Sequence, residues 1–139
     1  MKEDNIFYLF TDGASRKNPG PGGWGAILLS QDHVLEMGEG VDYATNNQME
    51  LTAVIKGLEE AYRKIAPVIV YTDSQYLING ITKWISSWKA NDWKTKAGTA
   101  VSNKDLWEKL HTIVSLIKKK SFIKFTHVPA HVGLLLNER

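Results

Sequence analysis

The chain of 139 residues carries no cysteine, which excludes a disulfide scaffold, a thiol nucleophile and zinc–cysteine sites, and its length suits one domain able to fold unaided. Hydrophobic residues at 43% and charged residues at 23% exclude a disordered tail or a collagen-like chain. The net charge of +2 divides into +7 over residues 83–124, where ten lysines meet Asp92, Asp105 and Glu108, and −5 over the remainder, which fits either a polyanion-binding region beside a cation-binding one or solvated lysine-rich helix faces.

Residues 5–11 are apolar and aromatic enough for a buried strand, and the glycine- and proline-rich residues 12–23 read as a turn cluster. Residues 24–30 and 33–41 read as two further strands joined by a hairpin. Thr45 and Gln48 have capping-box spacing. Leu51, Val54, Ile55, Leu58, Tyr62 and Ile65 follow at helical intervals, so one helix face packs on a sheet, and Pro67 ends the helix. Residues 68–71 form a short apolar strand of the parallel-sheet kind. Helical stretches follow over residues 74–90 and from a Ser102-x-x-Asp105 cap, and residues 122–128 alternate as a last strand. The order β-β-β-α-β-α-α-β predicts an α/β fold with mixed strand directions. Neither a signal peptide nor a membrane span is read, so the expected location is cytoplasmic, with no membrane partner.

Two strands carry the same ending, Phe10-Thr11-Asp12-Gly13 and Tyr71-Thr72-Asp73-Ser74. In open α/β sheets ligands sit at the carboxyl ends of strands, so parallel neighbours would set Asp12 and Asp73 side by side. Glu50, in the first turns of the helix, can add a third carboxylate from above. Taken singly, each Asp is equally a turn former or a helix cap. Taken together, clustered carboxylates repel one another, and a hard divalent cation such as Mg²⁺ or Mn²⁺ relieves that repulsion. Substrate phosphate oxygens complete such a site, which points to phosphodiester chemistry.

Thr11-Asp12-Gly13-Ala14-Ser15 with Asn18-Pro19-Gly20-Pro21-Gly22-Gly23-Trp24 resembles the first motif of type 1 ribonuclease H. Thr45-Asn46-Asn47-Gln48-Met49-Glu50-Leu51 resembles its second and Thr72-Asp73-Ser74-Gln75-Tyr76 its third. The tryptophans and lysines from Gly80 to Lys94 resemble the basic handle of the bacterial enzymes, and Val128-Pro129-Ala130-His131-Val132-Gly133 with Asn137-Glu138 the histidine loop. The resemblance implies a single ribonuclease H domain over residues 1–139, with a handle at 83–104. The implied fold is a mixed five-stranded sheet flanked by helices.

By the same resemblance, Asp12, Glu50 and Asp73 fall on metal-binding, catalytic acids and His131 on the catalytic loop histidine. His127, four residues earlier, is out of that register and is expected to be structural. The implied activity is hydrolysis of the RNA strand of an RNA–DNA hybrid by two Mg²⁺ ions, with Mn²⁺ also supporting it, leaving 5′-phosphate and 3′-hydroxyl ends. Ser15, Asn18, Thr45, Asn46, Asn47 and Gln75 fall on or beside hybrid-contacting positions, and amides suit the 2′-hydroxyl because they both donate and accept hydrogen bonds. Helix capping is the alternative for Thr45 and Asn46. Trp84, Trp88, Lys89, Lys94 and Lys96 are the handle's substrate contacts, with a hydrophobic seat as the alternative for Trp84 and Trp107. A monomer is expected.

The family's motif runs on past Asn137-Glu138 to a fourth acid and a C-terminal helix, whereas this chain ends at Arg139. The fourth acid would fall two residues beyond that end, so the helix is expected to be missing. Three explanations stand together: a shortened chain, a weakened second metal site, or Asn137 or Glu138 in the vacant metal-binding place. The alternative function is a hybrid-binding domain of the same fold with impaired or no catalysis.

Overall fold

The computed structural model describes residues 6–129. His131, Asn137, Glu138 and the expectation for the C-terminal helix lie outside those residues. The elements run β1 (Phe7–Ser15), β2 (Gly20–Leu29), β3 (Val34–Ala44), α1 (Asn46–Arg63), β4 (Val68–Thr72), α2 (Gln75–Asn79), a π-helical turn (Gly80–Trp84), α3 (Ile85–Ala90), α4 (Lys104–Lys120) and β5 (Ile123–His127). The five strands form one sheet in the order β3-β2-β1-β4-β5. The first three make an antiparallel meander, and β4 and β5 add parallel to β1. This is the mixed α/β sheet expected from the element order.

The sheet's core side carries Leu9, Leu28, Val68 and Val70, and α1 covers it with Leu51, Val54 and Leu58, all at most 1% exposed. Tyr8, Phe10 and Tyr71 stack on the opposite face, with the Phe10 and Tyr71 rings 4.9 Å apart. The capping box at α1 is complete. Gln48 donates its backbone N–H to Thr45 Oγ1 at 3.1 Å, and Thr45 donates its own to Gln48 Oε1 at 2.9 Å. Among the described residues no helix is long and apolar enough to cross a membrane.

Several boundaries differ from expectation, each for a physical reason. The turn cluster of residues 12–23 is mostly strand, because β1 runs to Ser15 and β2 starts at Gly20; the turn itself is confined to residues 16–19, closed by Arg16 N–H donating to Pro21 O, and Gly13 marks a close backbone approach. The helix α1 ends at Arg63, ahead of Pro67, and Ile65 stands outside it with φ 51° and 59% exposed. The helical stretch over residues 74–90 is interrupted by the π turn, where Ile85 N–H reaches back to Gly80 O. A Cβ at Gly80 would fall 1.9 Å from the Trp107 ring, so glycine there admits the buried indole. The Ser102 cap does not form. Asn103, in a left-handed conformation that asparagine tolerates, precedes α4, and its side chain bonds Tyr76 Oη instead.

Candidate active site

The register of β1 against β4 runs from Phe7↔Val68 to Phe10↔Tyr71. Two more residues along each chain bring Thr11 beside Thr72 and Asp12 beside Asp73. Asp12 is therefore not at a strand end as expected: β1 goes on pairing with β2 after β4 has stopped at Thr72. Asp73 occupies the single step between Thr72 and the α2 cap, Ser74.

Glu50 reaches these acids from the first turns of α1, which lie directly on Gly13. A Cβ at Gly13 would stand 2.5 Å from the Met49 carbonyl carbon and 2.7 Å from Glu50 N. Backbone cannot yield cheaply at that distance. Gly13→Ala is therefore expected to lift the start of α1, at a cost of about 1–3 kcal/mol. Cleavage should fall by more than the stability loss explains, as thermal melts and assays well below the melting temperature would show.

One carboxylate oxygen from each of Asp12, Glu50 and Asp73 lies within 4.8 Å of the others. Burial first, then the charges of Asp73 and Asp12, push the Glu50 carboxyl up to about 8. The Asp73 carboxyl is raised by burial and by Asp12, against the opposing pull of its own backbone N–H and of His127. Glu50 Oε1 is buried with no hydrogen-bond partner among the described residues. Three converging carboxylates that resist joint ionisation, one of which has a buried oxygen without a donor, fit a hard divalent cation. A cavity of about 170 Å³ beside Asp12 is lined by Phe10, Ile27 and Glu36 among others. A larger one of about 610 Å³ is lined by Glu59 of α1 and by residues of α4, with none of the three acids in its lining.

The candidate hybrid contacts of the first motif form one network. Asn46 Oδ1 accepts from Ser15 N–H at 2.7 Å and from Ser15 Oγ at 3.1 Å, while Asn18 Oδ1 accepts from Asn46 N–H at 2.8 Å. Both amide oxygens are thereby spent, and among the described residues neither Nδ2 has an acceptor. In Asn18 and Asn46 the oxygen is engaged within the protein and the Nδ2 donor is left over, whereas in Gln75 the Nε2 is engaged. Thr45 is the α1 cap, Asn47 is exposed, and Gln75 Nε2 donates to Asn79 Oδ1 at 3.0 Å. His127, expected to be structural, is exposed on β5 opposite Thr72 and near enough to act on Asp73. Sequence position alone gave no sign of that, because the pairing of β5 with β4 is what brings it there.

In the handle, Trp107 is fully buried and donates Nε1–H to Tyr76 Oη at 2.9 Å. Trp84 and Trp88 are half-buried in a continuous cluster of tilted and edge-to-face rings with Tyr76, Trp93 and Trp107, at centroid spacings of 5.3–6.3 Å. Lys89, Lys94 and Lys96 are exposed, and none has an ion-pair partner among the described residues. Asp92 and Trp93 both have positive φ, at 56° and 59°, and Asn91 Nδ2 ties this turn to Lys94 O and Thr95 O.

A mixed sheet with three acids converging beside parallel strands, next to a cationic surface, defines a divalent-metal-dependent nuclease. The family model described as RNase H matches residues 4–139. The chain is 46% identical over 136 residues to a ribonuclease H of Neisseria meningitidis (serogroup C / serotype 2a), covering 98% of this chain and 90% of that protein. It is 50% identical over 119 residues to a ribonuclease H of Coxiella burnetii, covering 81% and 77%. Among solved structures it resembles RNase H1 of the halophilic archaeon Halobacterium salinarum, with a TM-score of 0.67 at 30% identity over 93% of this chain and 89% of that one. The chain belongs to the RNase H family, in its bacterial type 1 form. Its activity is cleavage of the RNA strand of RNA–DNA hybrids, with a divalent metal.

Proposed function

We propose that the protein is a monomeric, cytoplasmic endonuclease that cuts hybrid RNA by a two-metal mechanism, leaving 5′-phosphate and 3′-hydroxyl ends. The three-acid cluster carries this reading. Bound Mg²⁺, or Mn²⁺ in its place, would supply the activated water and stabilise charge on the leaving oxygen. Asp12, Glu50 and Asp73 would hold the cations, Glu50 as its ionised carboxylate. The free Nδ2 donors of Asn18 and Asn46 point to acceptor oxygens of the hybrid, 2′-oxygens included. Ser15 holds their orientation. Thr45, at the N-terminus of an 18-residue helix, suits a DNA-strand phosphate, and Asn47 and Gln75 are further proposed hybrid contacts. His131 is the proposed proton shuttle or product-release residue, within a single domain over residues 1–139.

Incubation with labelled hybrid, duplex RNA and duplex DNA in Mg²⁺, Mn²⁺ and EDTA tests the reading. Metal-dependent cutting confined to the hybrid's RNA strand is the expected result. Binding without cutting would favour the non-catalytic alternative.

The handle's role follows from its charge and the cluster of Trp84 and Trp88 behind it. Neutralising Lys89, Lys94 and Lys96 together should raise KM and leave kcat nearly unchanged. Each lost phosphate contact should reduce the salt slope of log affinity by about 0.7–0.9. An unchanged KM at moderate salt would remove the handle from the substrate path.

A further inference from the structure

We propose that Thr72 is a positioning residue for Asp73, fixing the direction of that carboxylate before any cation arrives. The inference rests on reading Asp12, Glu50 and Asp73 as the metal-holding acids. Asp73 and the cap Ser74 are the two residues between β4 and α2, a place where φ and ψ are free unless something holds them. The two neighbours of Asp73 do hold it. Thr72 is 1% exposed and Ser74 7% exposed. Thr72 Oγ1 accepts the Ser74 backbone N–H at 3.0 Å, a bond that spans the Asp73 residue. Ser74 Oγ in turn accepts the Leu77 N–H at 3.0 Å and caps α2. On the strand side, the Thr72 carbonyl accepts the Val128 N–H at 2.9 Å, so Thr72 itself is anchored by β5.

The neighbouring strand supplies a control. Thr11 precedes Asp12 as Thr72 precedes Asp73, and it too is buried, at 5% exposure. Its Oγ1, however, has no hydrogen-bond partner among the described residues. Asp12 needs no such clamp, because ladder pairing with β2 continues through it, from Thr11↔Ala26 to Gly13↔Trp24. Asp73 lies beyond the last rung of its own ladder, Thr72↔His127. A side-chain hydroxyl does for Asp73 what strand pairing does for Asp12.

The test compares metal-free wild type with Thr72→Val, Thr72→Ser and Thr11→Val. Mn²⁺ binding is read by calorimetry and Ser74 amide exchange by NMR, alongside cleavage of a hybrid. Partners that orient metal ligands typically carry about 10–100-fold in affinity. Thr72→Val should therefore weaken Mn²⁺ binding about 10-fold or more and speed Ser74 exchange, with KM for hybrid at saturating metal nearly unchanged. Thr72→Ser should restore both, and Thr11→Val should leave both as in wild type. Should Thr72→Val fail to fold, Thr72→Ala removes the same acceptor without adding atoms. The proposal is overturned if folded Thr72→Val or Thr72→Ala binds Mn²⁺ like wild type, if serine fails to rescue, or if Thr11→Val does equal harm. Wild type that binds no Mn²⁺ at all would overturn the metal-site reading, and this proposal with it.

Discussion

Asp73→Asn should lower hybrid cleavage by about 10³-fold or more, since several kcal/mol of charge stabilisation depend on the bound cation. The same change should raise the melting temperature of the metal-free protein by a few degrees. The two effects have one origin. The acids lie within 4.8 Å of one another, and Asp73 is a named cause of the upward shift at Glu50. The cluster therefore destabilises the empty fold in order to hold a cation. Asparagine keeps the acceptor that Asp73 offers its own backbone N–H and removes only the charge, so local geometry is preserved. Steady-state cleavage in Mg²⁺ and thermal melts in EDTA check the pair. A lower melting temperature with the lost activity would mean that the residue is structural, and retained cleavage would remove Asp73 from the catalytic acids.

Much of this arrangement is legible in the string of residues, and the reasons differ by position. The neighbouring placement of β1 and β4 is legible because two apolar runs lead into the same Thr-Asp pair, although only in β4 does the strand stop there. The α1 start is legible because a capping box is local chemistry, settled by Thr45 and Gln48 alone. What is not legible depends on contacts distant in sequence. Gly13, Gly22 and Gly23 look like part of the turn until α1 is seen lying on Gly13 and β1 is seen pairing with β2 through Gly22 and Gly23. The outward polarity of Asn18 and Asn46 is decided by Ser15 N–H and Asn46 N–H, donors that only the fold supplies. Asn103 displaces the expected Ser102 cap because its amide is held by Tyr76, 27 residues away.

The handle shows the same division. Its lysines and tryptophans announce a cationic, aromatic region, but not which ring is seat and which is surface. Trp107 becomes the seat because Gly80 leaves room for its ring and Tyr76 accepts its N–H. The chain of half-buried rings above it stiffens the platform from which Lys89, Lys94 and Lys96 project. The short α2 helix, which starts beside Asp73, contributes Tyr76 to that cluster. The candidate catalytic acid and the cationic handle are thus joined through α2 and the Tyr76 ring.

Glu50 makes the stability of the metal-free protein fall as pH rises from about 4.5 to about 8. Burial and the neighbouring acids push its carboxyl up to about 8 in the folded protein from an ordinary 4.5, so within that window the folded state holds a proton that the unfolded chain has lost. Stability falls with pH wherever the folded state binds more protons. The loss should be complete above the folded value, amounting to a few kcal/mol. Asp73, raised in the same direction, adds to it. Glu50→Gln should remove most of this slope between pH 5 and pH 8 while abolishing cleavage. A cation inverts the dependence, because only the ionised carboxylate can bind it. At pH 7 Mn²⁺ binding to wild type should therefore release close to one proton from Glu50, measurable by calorimetry in buffers of different ionisation enthalpy, and the apparent affinity should climb toward pH 8. Flat melting temperatures in EDTA together with no proton release would mean that Glu50 is already ionised when empty, and that burial does not set its charge.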